Sequence, residues 1–134
     1  MRDIEHFIDG QAVAGISRRY GEVFDPNTGA VQARVALADA EELDRAVASA
    51  VAAQREWAQV NPQRRARVLF EFKRLLERDM EPLARLLSSE HGKVIADSRG
   101  DLQRGLEVIE FACGIPHLLK GEYTHGAGSG IDAY

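Results

Sequence analysis

The sequence predicts a small antiparallel β unit over residues 1–38 followed by three to four helices. Three observations carry that fold class. Hydrophobic side chains make up 45% of the 134 residues and charged ones 28%, which gives the chain apolar surface to bury and disfavours disorder. Before position 38, short β-type runs alternate with turn signals. After it come three long stretches with helical spacing.

In chain order, His6 to Gln11 reads as a strand entering a turn, because Asp9-Gly10 accepts the positive φ of a tight hairpin. Val23-Phe24 leads into Asp25-Pro26-Asn27-Thr28-Gly29, where proline presets φ and asparagine tolerates the left-handed region. Val31 to Leu37 alternates, with Val31, Ala33, Val35 and Leu37 on one face and Gln32 and Arg34 on the other. The first helix opens on a capping box formed by Asp39 and Glu42. Leu43, Val47, Ala50, Val51 and Trp57 then recur at helical spacing. Asn61-Pro62 stops this helix and starts the second, as N-cap and first helical residue. The second helix carries Leu69, Phe72, Leu75 and Leu76. It is expected to break at Asp79, since Pro82 is tolerated only in a first turn. A short helix with Leu83, Leu86 and Leu87 inward then ends at Gly92.

The third long helix, roughly residues 94–115, sets Leu102, Leu106, Ile109 and Cys113 in a narrow stripe. Nearly opposite lie Asp97, Asp101, Arg104, Val108 and Phe111. Two large apolar residues on that side imply that this helix meets other structure on both faces. Pro116 ends or kinks it. The glycine-rich stretch 121–130 reads as a mobile connection, and Ile131 to Tyr134 as the first residues of a strand.

Composition excludes several function classes. A net charge of -4 argues against a nucleic-acid partner. No apolar run approaches the ~20 residues of a membrane span. A single cysteine leaves no internal disulfide and no multi-thiolate metal site. The opening run Met1 to Phe7 lacks the apolar core of a secretion signal, and its early acids disfavour a transit peptide, so a cytoplasmic location is expected.

Among the chemistry-bearing residues, Cys113 sits in the apolar stripe, where a thiolate would be desolvated, and is read as structural. The four histidines are scattered, with His117 and His125 far from any i,i+4 metal pair. Gly126-Ala127-Gly128-Ser129-Gly130 has the look of a phosphate loop but lacks the following helix that would aim amides at an anion. Arg64, Arg65 and Arg67 oppose the dipole at the start of the second helix, so either nearby acids compensate or an anion is held, and surface pairing is the favoured reading. Glu41 and Glu42 are explained by capping. Arg104 has the best case: partial desolvation beside Val108 and Phe111 would favour bidentate binding of a carboxylate. The competing account is a salt bridge to Asp101 or Asp97. These residues contain no complete active site, so an enzyme part and a non-catalytic helical interaction module or truncated partner subunit both stay open.

The ordered string of motifs resembles the opening of the aldehyde dehydrogenases. The motifs are Phe7-Ile8-Asp9-Gly10, Asp25 to Gly29, Ala53-Gln54-Arg55-Glu56-Trp57, Arg64 to Phe70, and Glu90-His91-Gly92-Lys93. The run from Arg104 to Glu122 is long and distinctive and is similar to the CoA-acylating methylmalonate-semialdehyde dehydrogenases. The resemblance implies an α/β parent fold with a Rossmann-type NAD domain. Residues 1–38 would be its amino-terminal β unit, 39–121 a helical layer, and 122–134 a connection and the start of an oligomerisation-arm strand. It also implies NAD as cofactor, CoA as co-substrate, and a homo-oligomeric complete enzyme, dimer or tetramer. Such an enzyme serves valine or inositol breakdown. In the family reaction a thiolate attacks the semialdehyde and hydride passes to NAD. Decarboxylation and transfer to CoA then give propionyl-CoA or acetyl-CoA. The nucleophilic cysteine and the cofactor-contacting residues have no match in these 134 positions, so the chain alone is expected to be inactive. The one active-site group with a match is an arginine facing the substrate carboxylate, here Arg104.

Overall fold

The computed structural model describes residues 1–134, the side chains of 124–127 excepted. The chain divides into two compact units, Met1–Val60 with Glu81–Arg99, and Asn61–Met80 with Gly100–Tyr134.

In the first unit, β2 (His6–Ile8) and β3 (Gln11–Val13) form the expected hairpin. Its turn places Asp9 at φ 53 and Gly10 at φ 74, the pair of positive values that a two-residue type I′ turn needs. β4 (Tyr20–Phe24) and β5 (Val31–Ala36) are antiparallel across the Asp25–Gly29 turn. There the Asp25 carboxylate accepts from the Asn27 amide at 2.8 Å, and the Asp25 carbonyl accepts from Gly29 at 2.8 Å. The antiparallel pairings are joined by one of the other kind. β1 (Arg2–Ile4) lies parallel to β5, giving the order β1-β5-β4. Arg34 on the central strand grips its cross-strand partner Asp3 through both Nε and Nη2, at 2.6 and 2.8 Å, and its guanidinium stacks on the Tyr20 ring.

α1 (Ala40–Trp57) carries the capping box as expected: Asp39 accepts from the Glu42 amide at 2.9 Å, and Glu42 accepts from the Asp39 amide at 3.2 Å. The same unit holds most of α3 (Met80–His91) and the start of α4 (Ile95–Cys113). Gly92 follows α3 at φ 84, and its amide closes on the Ser88 carbonyl. Of the three leucines expected to point inward from α3, Leu83 and Leu87 are half-buried and Leu86 is exposed, because Ala84 takes the closest-packed position. Strict alternation along β5 also fails. Ala33 and Ala36 are both buried, while Val31 and Leu37 are exposed.

The second unit contains α2 (Pro62–Arg78), the rest of α4, α5 (Ile115–Leu118) and the strands β6 (Thr124–Gly128) and β7 (Ile131–Ala133). Asn61 caps α2 by accepting from Gln63, and Asp79 is its last half-turn, as the proline placement requires. Pro116 opens the short α5. The glycine-rich stretch differs from expectation. It forms a strand paired antiparallel with residues 131–133, so the terminal strand has a partner. Glycine lowers strand propensity without forbidding the backbone, and a hairpin partner a few residues away supplies the hydrogen bonds.

Candidate functional site

α4 builds the only candidate that the sequence singled out. Its burial follows the helical wheel: Leu106 is 4% exposed and Leu102, Ile109 and Cys113 are half-buried. On the other side Val108 is 68% and Phe111 69% exposed, with Arg104 on the same face. The Arg104 Nη1 donates to Asp101 Oδ1 at 2.9 Å, the i,i+3 pair of one helical turn. Asp101 rather than Asp97 is therefore the intrahelical partner. The helix is tied to α2 by Lys73, whose Nζ lies 2.6 Å from Glu77 and 3.7 Å from Glu110. The hydrogen bond to Glu77, reinforced by both carboxylates, holds the Lys73 ammonium above its usual range.

The other sequence candidates stay apart. Cys113 ends α4 half-buried rather than fully enclosed. His117 is exposed on α5, and the His125 side chain lies outside the described residues. Among the described residues no group of three or more histidine, cysteine or acidic side chains could hold a metal. Arg64 and Arg65 lie in the first turn of α2, which holds no acid, and Arg67 in its second, and none of the three is in an ion pair among the described residues. Surface pairing there is thus replaced by solvent exposure of Arg64 and Arg67. The 126–130 run belongs to the β6–β7 hairpin and precedes no helix, so it aims no helical amides at a phosphate.

One cluster has no signal in the sequence. Glu42 serves the α1 cap, but its Oε1 also accepts from the Ile16 amide at 2.6 Å and lies 3.6 Å from His6 Nε2. These partners are distant in sequence, and no local pattern announces them.

The profile of the aldehyde dehydrogenase family matches residues 13–133. The chain belongs to the aldehyde dehydrogenase family. Among curated relatives of this aldehyde dehydrogenase chain, a malonate-semialdehyde dehydrogenase of Pseudomonas aeruginosa is 42% identical over 134 residues, all of this chain and 27% of the relative. Malonate-semialdehyde dehydrogenase 2 of Geobacillus thermodenitrificans is 46% identical over 132 residues, 98% of this chain and 27% of that one. Among solved structures, one described as a methylmalonate-semialdehyde dehydrogenase of Sinorhizobium meliloti, complexed with NAD, superposes with a TM-score of 0.88 at 57% identity. The methylmalonate-semialdehyde dehydrogenase of Oceanimonas doudoroffii gives 0.88 at 43%. Each superposition covers 98% of this chain and 27% of the other. The chain thus spans about a quarter of the length of these relatives and carries the aldehyde dehydrogenase architecture over that span. Among the described residues no helix is long and apolar enough to cross a membrane.

Proposed function

We propose that this chain is the amino-terminal part of an NAD-dependent, CoA-acylating dehydrogenase of malonate or methylmalonate semialdehyde. The overall conversion takes the semialdehyde, NAD and CoA to acetyl-CoA or propionyl-CoA, carbon dioxide and NADH. The complete enzyme is a cytoplasmic homo-oligomer, and the isolated chain is inactive. The supporting observation is the similarity of 98–100% of this chain to semialdehyde dehydrogenases, at 42–57% identity. NAD as cofactor draws support from the Sinorhizobium meliloti complex, and its binding residues belong to the part of the enzyme outside this chain.

Within the chain, Arg104 binds the substrate carboxylate. A guanidinium carries a permanent charge and a planar donor fork that matches a carboxylate. The exposed Val108 and Phe111 on the same face lower the local dielectric once covered, which strengthens the pair. Arg104→Leu in the full-length enzyme should cost roughly 2–5 kcal/mol in kcat/KM for malonate semialdehyde, by loss of a charge-paired contact. Propanal, which has no carboxylate, should lose far less. Steady-state kinetics with both aldehydes tests the reading, and equal losses would remove Arg104 from substrate recognition.

A further inference from the structure

The geometry points to Asp101 as a positioning residue that holds Arg104 by one edge and leaves its bidentate fork open for the substrate carboxylate. This rests on the reading of Arg104 given above. The contrast is with four other ion-paired arginines, whereas Arg2 meets Glu90 through Nη2 alone. Arg34 with Asp3, Arg74 with Glu71, Arg78 with Asp79 and Arg99 with Glu81 all close on their acid through Nε and Nη2 together. In each of those pairs the fork that matches a carboxylate is consumed. Arg104 departs from that pattern. Asp101 takes its Nη1 alone, at 2.9 Å, and the arginine side chain is 76% exposed. Asp101 thus leaves the Nε and Nη2 donors of Arg104 unengaged.

Spacing explains the geometry's use. Asp101 and Arg104 sit one turn apart on the face that carries Val108 and Phe111. A free arginine side chain samples many rotamers, and fixing one of them before binding removes part of the entropic cost of the next contact. Asp101 restricts the guanidinium through the donor that a bidentate ligand does not need. The guanidinium has five N–H donors, so two carboxylates can share it on different edges.

Steady-state kinetics of the full-length enzyme separates this role from its alternatives. Asp101→Ala should raise KM for malonate semialdehyde by about two- to fivefold, the range expected for one exposed charge-paired contact. Its kcat should stay within about twofold of wild type, and KM for NAD and for propanal should not move. Asp101→Asn keeps an acceptor oxygen in place and should restore most of the KM. If Asp101→Ala leaves KM unchanged or lowers it while Arg104→Leu remains selective for the carboxylated aldehyde, Asp101 merely competes with substrate and the inference fails alone. A loss in kcat shared by both aldehydes marks a purely structural role and also overturns it. If Arg104→Leu impairs both aldehydes equally, the reading of Arg104 falls and this inference falls with it.

Discussion

Glu42 shows how much one side chain can organise. At 5% exposure it is a buried carboxylate, and isolated burial of a charge is costly. Backbone amides offset that cost: Ile16 donates to Oε1, Asp39 donates to Oε2, and His6 stands beside Oε1. The packing around it is tight, since a Cβ on Gly15 would come within 2.9 Å of the Ala36 Cβ and 3.6 Å of Glu42 Oε1. The amide bond from Ile16 is the largest influence on its acidity. With Asp39, Ser17 and His6 it outweighs burial and lowers the pKa below the usual 4.5. A carboxyl that is more acidic when folded adds stability above its unfolded pKa. That stability is lost as pH falls from about 4.5 through the lower folded value. Glu42→Gln should therefore reduce the thermal midpoint at neutral pH and show a shallower acid decline than wild type. Parallel midpoints from about pH 7 down to about pH 3 test this, and identical acid slopes would contradict it. The capping role of Glu42 was legible because Asp39 stands three residues before it. Its grip on Ile16 and His6 was not, because those contacts exist only once separate β segments have folded onto α1.

At the scale of elements, the legible features are the local ones. The Asp9-Gly10 hairpin, the Asp25–Gly29 turn, both helix caps and the break at Asp79 all follow from residues within one turn of each other. Pairings between distant segments were hidden. β1 joins β5 in parallel through Arg34 and Asp3, and the glycine-rich tail pairs with the terminal strand, neither of which a periodicity can report. The junction of α3 with α4 combines both kinds of constraint. Gly92 stands at φ 84, where an L side chain is strained, and a Cβ there would meet Pro26 Cγ at 3.0 Å. Pro26 belongs to the β4–β5 turn, so the helix end and the hairpin lock one another. Gly92→Ala should destabilise the protein by roughly 1–3 kcal/mol from left-handed strain and crowding together. Chemical denaturation of the full-length enzyme reads that loss. A variant as stable as wild type would show that the turn yields freely.

For the whole molecule, the size of the buried residues matters more than their number. Among the described residues the enclosed apolar positions are Ala33, Ala36, Ala66, Ala84 and Leu106, so four of the five are alanines with little area to bury. Larger apolar groups lie outside. Leu43, Val47 and Val51 run along α1, Val68 and Phe72 along α2, and Val108 and Phe111 along α4. Each is about half to two-thirds exposed, so covering the rest would gain roughly 1–2 kcal/mol per side chain. The spacing of these faces was legible as helical amphipathicity, whereas what covers them is not encoded in any pattern local to the helices. Rows of uncovered apolar groups on a 134-residue chain drive association. The isolated chain should therefore form concentration-dependent oligomers in sedimentation velocity and enhance the fluorescence of a hydrophobic dye. Replacing Val47 and Val51 with lysine should weaken both signals, because charge on that face opposes its burial. The same preparation should produce no NADH from malonate semialdehyde, NAD and CoA, since a half-buried Cys113 at a helix end offers no activated nucleophile. A monomer that binds no dye would mean that these faces are not adhesive. Steady NADH formation would mean that the chemistry resides in residues that the helical wheel assigns to structure.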